Sequence, residues 1–136
     1  IVDALAIAPP AIRVYEGGHD VQTQYGLQVS LHKVEFAESE TRIFLTVANN
    51  SKEEASFYSF NVKAVQGNQQ FEFDFSDFSG ISYPEVQSEL LPGVESSGVV
   101  VLPAMDPISE TRLFMDGNTS NWNLTFKPYE FVVPAK

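Results

Sequence analysis

Between residues 25 and 50 the chain reads YGLQVSLHKVEFAESETRIFLTVANN, and apolar side chains recur at every second position. Leu27, Val29 and Leu31 alternate with Gln28, Ser30 and His32, and Ile43, Leu45 and Val47 alternate with Phe44, Thr46 and Ala48. Successive side chains of a strand point to opposite faces, so this period of two predicts a pair of half-buried strands. Ala37-Glu38-Ser39-Glu40 is the polar turn that returns the second strand antiparallel to the first. The first strand carries one irregularity. After Leu31 the next apolar residues are Val34 and Phe36, out of step with the face already set. Either the strand buries its other face after His32, or a bulge at His32-Lys33 absorbs one residue.

The same pattern recurs along the chain. Residues 1–20 read as an N-terminal approach segment or edge strand: Pro9-Pro10 is extended, and residues 11–15 form a short strand that Gly17-Gly18 breaks. Residues 21–136 are the expected domain. A third strand places Ser56, Tyr58, Phe60, Val62 and Ala64 on one face, with Phe57, Ser59, Asn61 and Lys63 on the other. After a turn at Gly67-Asn68, Phe71, Phe73 and Phe75 alternate with Glu72, Asp74 and Ser76. Residues 77–94 read as irregular, and residues 99–102 as a central strand covered on both faces. Residues 112–115, the alternating Trp122, Leu124 and Phe126, and residues 129–133 complete the set. Seven to eight short strands without a convincing amphipathic helix predict an all-β antiparallel sandwich, with a barrel as the competing architecture.

Three stretches carry a resemblance. Tyr25-Gly26-Leu27 with Val29, the strand end Val47-Ala48-Asn49-Asn50-Ser51, and Leu91-Pro92-Gly93-Val94 leading into Ser97-Gly98-Val99-Val100-Val101 resemble an immunoglobulin-like domain of bacterial secreted and cell-surface proteins, lipoproteins among them. The resemblance covers about residues 20–134 and rests on structural motifs. It implies an immunoglobulin-like β-sandwich, exported or held in the bacterial cell envelope, and it brings no catalytic residue with it. The cysteine pair of antibody domains is missing, and Trp122 lies too near the C-terminus to match their core tryptophan.

Composition narrows the function classes. The chain has no cysteine, which removes disulfides, thiolate catalysis and cysteine-based zinc sites. A formal net charge of −10 disfavours phosphate backbones and anionic membrane surfaces as partners. No Lys or Arg occurs between Ala64 and Thr111, where Glu72, Asp74, Asp77, Glu85, Glu89, Glu95, Asp106 and Glu110 all fall. That stretch reads as a solvated acidic face or, more sharply, as a site for a cation or a basic partner. No apolar run reaches the ~20 residues that span a bilayer, and residues 1–11 lack the basic start of a signal peptide. Because the sequence opens on Ile1, a fragment or processed chain is the expectation.

The candidates for chemistry are few. His19 and His32 lack a metal-binding spacing, and no serine sits in a Gly-x-Ser-x-Gly elbow, so a hydrolase would need a structure that sets either histidine beside a serine or an acid. Glu72 and Asp74 share a strand face at about the separation of a glycosidase pair, but the phenylalanines alternate away from them. Asp74, Asp77, Asp106 and Asp116, at strand ends and turns, are the calcium candidates, although none belongs to a recognisable calcium loop. Asn49, Asn118 and Asn123 match the N-x-[ST] acceptor pattern. Phe44, Phe57, Phe78 and Tyr83 fall off the main core faces and predict either a covered surface or a docking patch. The expected function is a non-enzymatic module that binds a protein or cell-envelope partner or serves structurally, with a calcium- or carbohydrate-binding module as the alternative.

Overall fold

The computed structural model describes residues 8–74 and 81–136. Its strands are β1 (Ala11–Gln24), β2 (Leu27–Ala37), β3 (Glu40–Asn49), β4 (Ala55–Phe57), β5 (Lys63–Gln66), β6 (Gln69–Glu72), β7 (Glu89–Leu90), β8 (Glu95–Pro103), β9 (Thr111–Met115), β10 (Gly117–Thr119) and β11 (Tyr129–Val133). One layer is the antiparallel sheet β1-β2-β3-β8. The other consists of two short antiparallel sheets, β10-β4-β7 and β11-β9-β5-β6. A core of Leu27, Val29, Leu31, Ile43, Leu45, Phe57, Leu113 and Tyr129, among others, draws on all three sheets. The chain is an all-β antiparallel sandwich.

The slip in the first strand is a bulge. Leu31 pairs with Leu45 and Lys33 with Phe44, leaving His32 without an opposite residue. Val34 and Phe36 thereby return to the core, where both are fully buried. Burying two such side chains contributes about 1.5–3 kcal/mol each, which outweighs the single ladder hydrogen bond, about 1 kcal/mol, that a bulge leaves unmade.

Gly17-Gly18 does not end β1. The strand runs on to Gln24, because Glu16 pairs with Lys33 and Asp20 with Leu31. Residues 17–19 thus bulge out at the level where β2 bulges at His32. A Cβ on Gly17 would come within 3.0 Å of the Leu31 carbonyl oxygen, so glycine is what lets the two irregular strands stay in contact. The Tyr15 hydroxyl closes the bulge with a 2.7 Å hydrogen bond to Asp20.

The third predicted strand is two strands. A 3-10 turn at Ser59–Asn61 separates β4 from β5 and reverses which face is inward. Ala55 and Phe57 are buried before the turn, Val62 and Ala64 after it. Phe57 is therefore a core residue and not part of an outer patch, whereas Phe60, expected inside, is 49% exposed. A similar break at Asp116 divides β9 from β10. These two breaks, together with the short β7 in a stretch expected to be irregular, raise the described strands above the seven or eight expected. Residues 121–128, expected to hold a strand, form a loop instead.

Side chains lace one open flank of the sandwich. The Gln24 amide donates to the Lys127 carbonyl at 2.7 Å and accepts from the Lys127 N–H at 2.8 Å. Gln22 makes the same two-way contact with the Glu130 backbone. Arg13 donates to the Pro107 and Pro134 carbonyls at 2.9 and 2.8 Å. These side chains join β1 to the second layer where no strand pairing does, which also covers an edge that would otherwise be open. The opposite edge, β8, is covered by the segment before β7: Val99 N–H donates to the Pro84 carbonyl at 2.8 Å. Gly98 permits that approach, since a Cβ there would stand 2.4 Å from the Val86 nitrogen.

Candidate functional site

The predicted calcium ligands do not come together among the described residues, where no group of three or more His, Asp or Glu side chains is placed to hold a metal ion. Asp74 follows β6 and Asp116 links β9 to β10, while Asp77 lies outside the described residues. Asp106 works locally. It accepts from the Ile108 N–H at 3.1 Å and from the Ser109 hydroxyl at 2.7 Å. Those two donors hold its carboxyl below the ordinary aspartate value.

His32 projects from its bulge onto the outer face of the first sheet. Its Nε2 lies 2.6 Å from the Thr46 hydroxyl, and that hydroxyl lies 2.7 Å from the Ser97 hydroxyl. Thr46 therefore stands between the histidine and the serine. Among the described residues no carboxylate hydrogen-bonds the ring, so the general-base geometry of a hydrolase is not assembled there. The backbone of His19 sits in the facing bulge of β1, and its side chain lies outside what the structure describes.

Beside His32 the same face carries a line of charges. The buried Arg42 guanidinium donates to Glu35 at 2.7 Å and to Glu40 at 2.8 Å, Lys33 reaches Glu35 at 3.1 Å, and the Tyr83 hydroxyl donates to Glu40. Burial opposes ionisation of Glu35, but the hydrogen bonds from Arg42 and Lys33 outweigh it and hold the carboxyl below its ordinary value. Lys33 also lies over the Phe44 ring, 4.5 Å from its centre. A shallow, mostly apolar hollow of about 480 Å³ lies here, lined by Phe44, Val99, Pro84 and His32. Phe44 and Tyr83 are therefore half-buried members of a network, and Phe78 lies outside the described residues.

Two other features stand out on the surface. One is a groove of about 610 Å³ lined by Tyr58, Phe60 and Phe73 with Glu85, Gln87 and Glu89, where the 3-10 turn faces the segment leading into β7. Tyr58 and Phe60 stack at 5.4 Å with a 33° tilt. A second hollow of about 560 Å³ shares Ser59, Phe73 and Glu85 with the groove and adds Asp74.

The other is the pole of the sandwich at which the turns 25–26, 50–54, 91–94 and 120–128 meet. Backbone hydrogen bonds from Asn50 to Gly26, Gly93 to Asn49, and Ser120 to Glu54 tie these turns together. Beneath them, fully buried Asn49 donates to the Glu53 and Leu90 carbonyls at 2.7 and 2.9 Å and accepts from the Ser51 N–H and hydroxyl. Asn49 is thus the post of this corner and is closed to glycan attachment, while Asn118 and Asn123 are exposed. On this rigid base sit Trp122, 97% exposed, Leu91, 61%, and Tyr25, 53%, with Val94 nearby. Tyr25 adopts φ 49°, a left-handed conformation uncommon outside glycine, and its ring meets Phe126 edge-on at 5.1 Å.

No family model matches the chain, and no curated protein matches it in sequence. Solved structures do share its architecture. A candidate lipoprotein, ycdA, from Bacillus subtilis superposes with a TM-score of 0.62 at 16% identity, over 89% of this chain and 39% of that one. A functionally unknown protein from Listeria monocytogenes superposes with a TM-score of 0.61 at 9% identity, over 93% of this chain and 87% of that one. The likeness is one of fold. This chain spans 39% of the Bacillus protein's length.

Sequence reasoning missed both the groove and the pole. Alternation placed Phe60 inside because the short turn that reverses the chain leaves no mark in the period. Trp122 looked like a strand residue because Leu124 and Phe126 follow at the same spacing.

Proposed function

We propose that the chain is a non-enzymatic, exported immunoglobulin-like domain that acts at the bacterial cell surface by binding a protein or cell-envelope partner through the pole that carries Trp122. The observation behind this reading is the exposure of that indole. An aromatic side chain removes roughly 150–250 Å² from water when it is covered, and at ~25 cal/mol per Å² that amounts to about 4–6 kcal/mol which folding leaves unused. Trp and Tyr are also the residue types that anchor interfaces most often. Rigidity helps as well: Asn49 and the backbone bonds fix the turns, so little ordering entropy is lost on binding.

The rest of the molecule supports a binding role over a catalytic one. His32 is engaged with a threonine on an open sheet face, and the buried charges of Arg42, Glu35 and Glu40 satisfy one another. The fold likeness to a candidate lipoprotein supports an envelope location. The test is co-sedimentation of the purified domain with isolated Gram-positive cell envelopes. Saturable binding by the wild type, weakened at least about tenfold by Trp122→Ala, is the expected result. Equal binding by a folded Trp122→Ala variant would remove the pole from the account.

A further inference from the structure

We infer that the groove beside the 3-10 turn is a second binding site, away from the Trp122 pole, and that it takes a Lys- or Arg-bearing segment of a protein partner. Its walls combine aromatic rings with carboxylates. The rings of Tyr58, Phe60 and Phe73 line it together with Glu85 and Glu89. Neither glutamate side chain has an ion-pair or hydrogen-bond partner among the described residues, and both are exposed. The hollow that continues the groove shares Phe73 and Glu85 with it.

The complement of such a groove is an organic cation. A guanidinium or ammonium group lies well over an aromatic ring within about 6 Å of its centre, where the ring quadrupole attracts it, and a carboxylate beside the ring adds direct charge pairing. This chain already uses the pairing internally, with Arg13 over Phe36 at 5.6 Å, Lys33 over Phe44 at 4.5 Å and Arg112 over Phe114 at 5.8 Å. No Lys or Arg lines the groove, and none occurs anywhere in the sequence between Ala64 and Thr111. The cation is therefore absent from the chain's own side of the groove. An anionic headgroup or a nucleic acid would meet repulsion at the same walls.

The test titrates the ¹⁵N-labelled domain with a tetra-arginine peptide and, separately, with its tetra-citrulline counterpart, which has nearly the same shape and no charge. The tetra-arginine peptide is expected to shift the amide resonances of Ser59, Gln87 and Ser88 saturably. The citrulline peptide, and the double variant Glu85→Gln with Glu89→Gln, should each bind at least about tenfold more weakly. Phe60→Ala should weaken binding while leaving the melting temperature near that of the wild type, since its ring is half exposed. Asp116→Asn is the control for general acidity and should leave the affinity unchanged. The inference is overturned if citrulline binds as well as arginine, if the shifts map elsewhere on the acidic surface, or if Asp116→Asn weakens binding as much as the groove variants do.

Discussion

The hydroxyl of Tyr129 donates a 2.6 Å hydrogen bond to the backbone carbonyl of Leu27, across the core and from one layer of the sandwich to the other. Both residues are fully buried, so the last strand is fastened to the start of the central hairpin at a point water does not reach. Tyr129→Phe keeps the ring and removes the bond, leaving the carbonyl without that donor, and should cost about 1–3 kcal/mol in a urea melt.

The same tyrosine sets an alkaline limit. Burial pushes its hydroxyl from 10.0 up to about 12. Above pH 10 the unfolded chain releases this proton while the folded chain retains it, so stability falls as pH rises toward 12. Two pH units at about 1.4 kcal/mol each give a loss of ~3 kcal/mol. Stability measured between pH 9 and 12 should decline less steeply in Tyr129→Phe than in the wild type; parallel curves would show that the hydroxyl is not held in its neutral form.

Arg42 and Glu35 set a corresponding acid limit. Glu35 is held below its ordinary value of 4.5 by its cationic partners, so its contribution is present above that pH and is lost as pH falls through the lower folded-state value. Glu35→Gln should flatten the acid limb of the stability curve. Arg42→Ala should be worse at neutral pH, costing about 3–5 kcal/mol, because Glu40, with its side chain only 6% exposed, would lose its guanidinium partner.

The central hairpin was legible in the sequence because burial on one face of a strand imposes a period of two, and even the bulge at His32 showed as a single slipped step. The second layer was less legible. Its strands are short, and two of them change sheet at a turn or a single residue, which breaks the period just where Phe57 and Phe60 exchange places. Gly98 and the Gln22 and Gln24 contacts depend on residues far away in the chain, and no local pattern announces them. The stretch free of Lys and Arg was visible, but that Glu85 and Glu89 share a groove with Tyr58 and Phe60 was not.

Calcium should leave the domain's stability unchanged. A ligand that binds the folded state at 100 times its Kd adds about 2.7 kcal/mol, an effect readily seen in a thermal melt. Asp74, Asp106 and Asp116 share no site of three acidic or histidine side chains among the described residues. Melting temperatures in millimolar calcium and in EDTA are expected to coincide; a rise of several degrees with calcium would support the metal reading.

Trp122 is the only tryptophan in the chain, so its fluorescence reports on the pole alone. The most direct measurement is iodide quenching of that fluorescence, with the domain free in solution and with it bound to isolated cell envelopes. Efficient quenching of the free domain is expected, and a blue-shifted emission largely protected from iodide once the domain is bound. If the domain co-sediments with envelopes while Trp122 remains as red-shifted and as open to iodide as before, the partner is bound elsewhere and the proposed role of the pole is wrong.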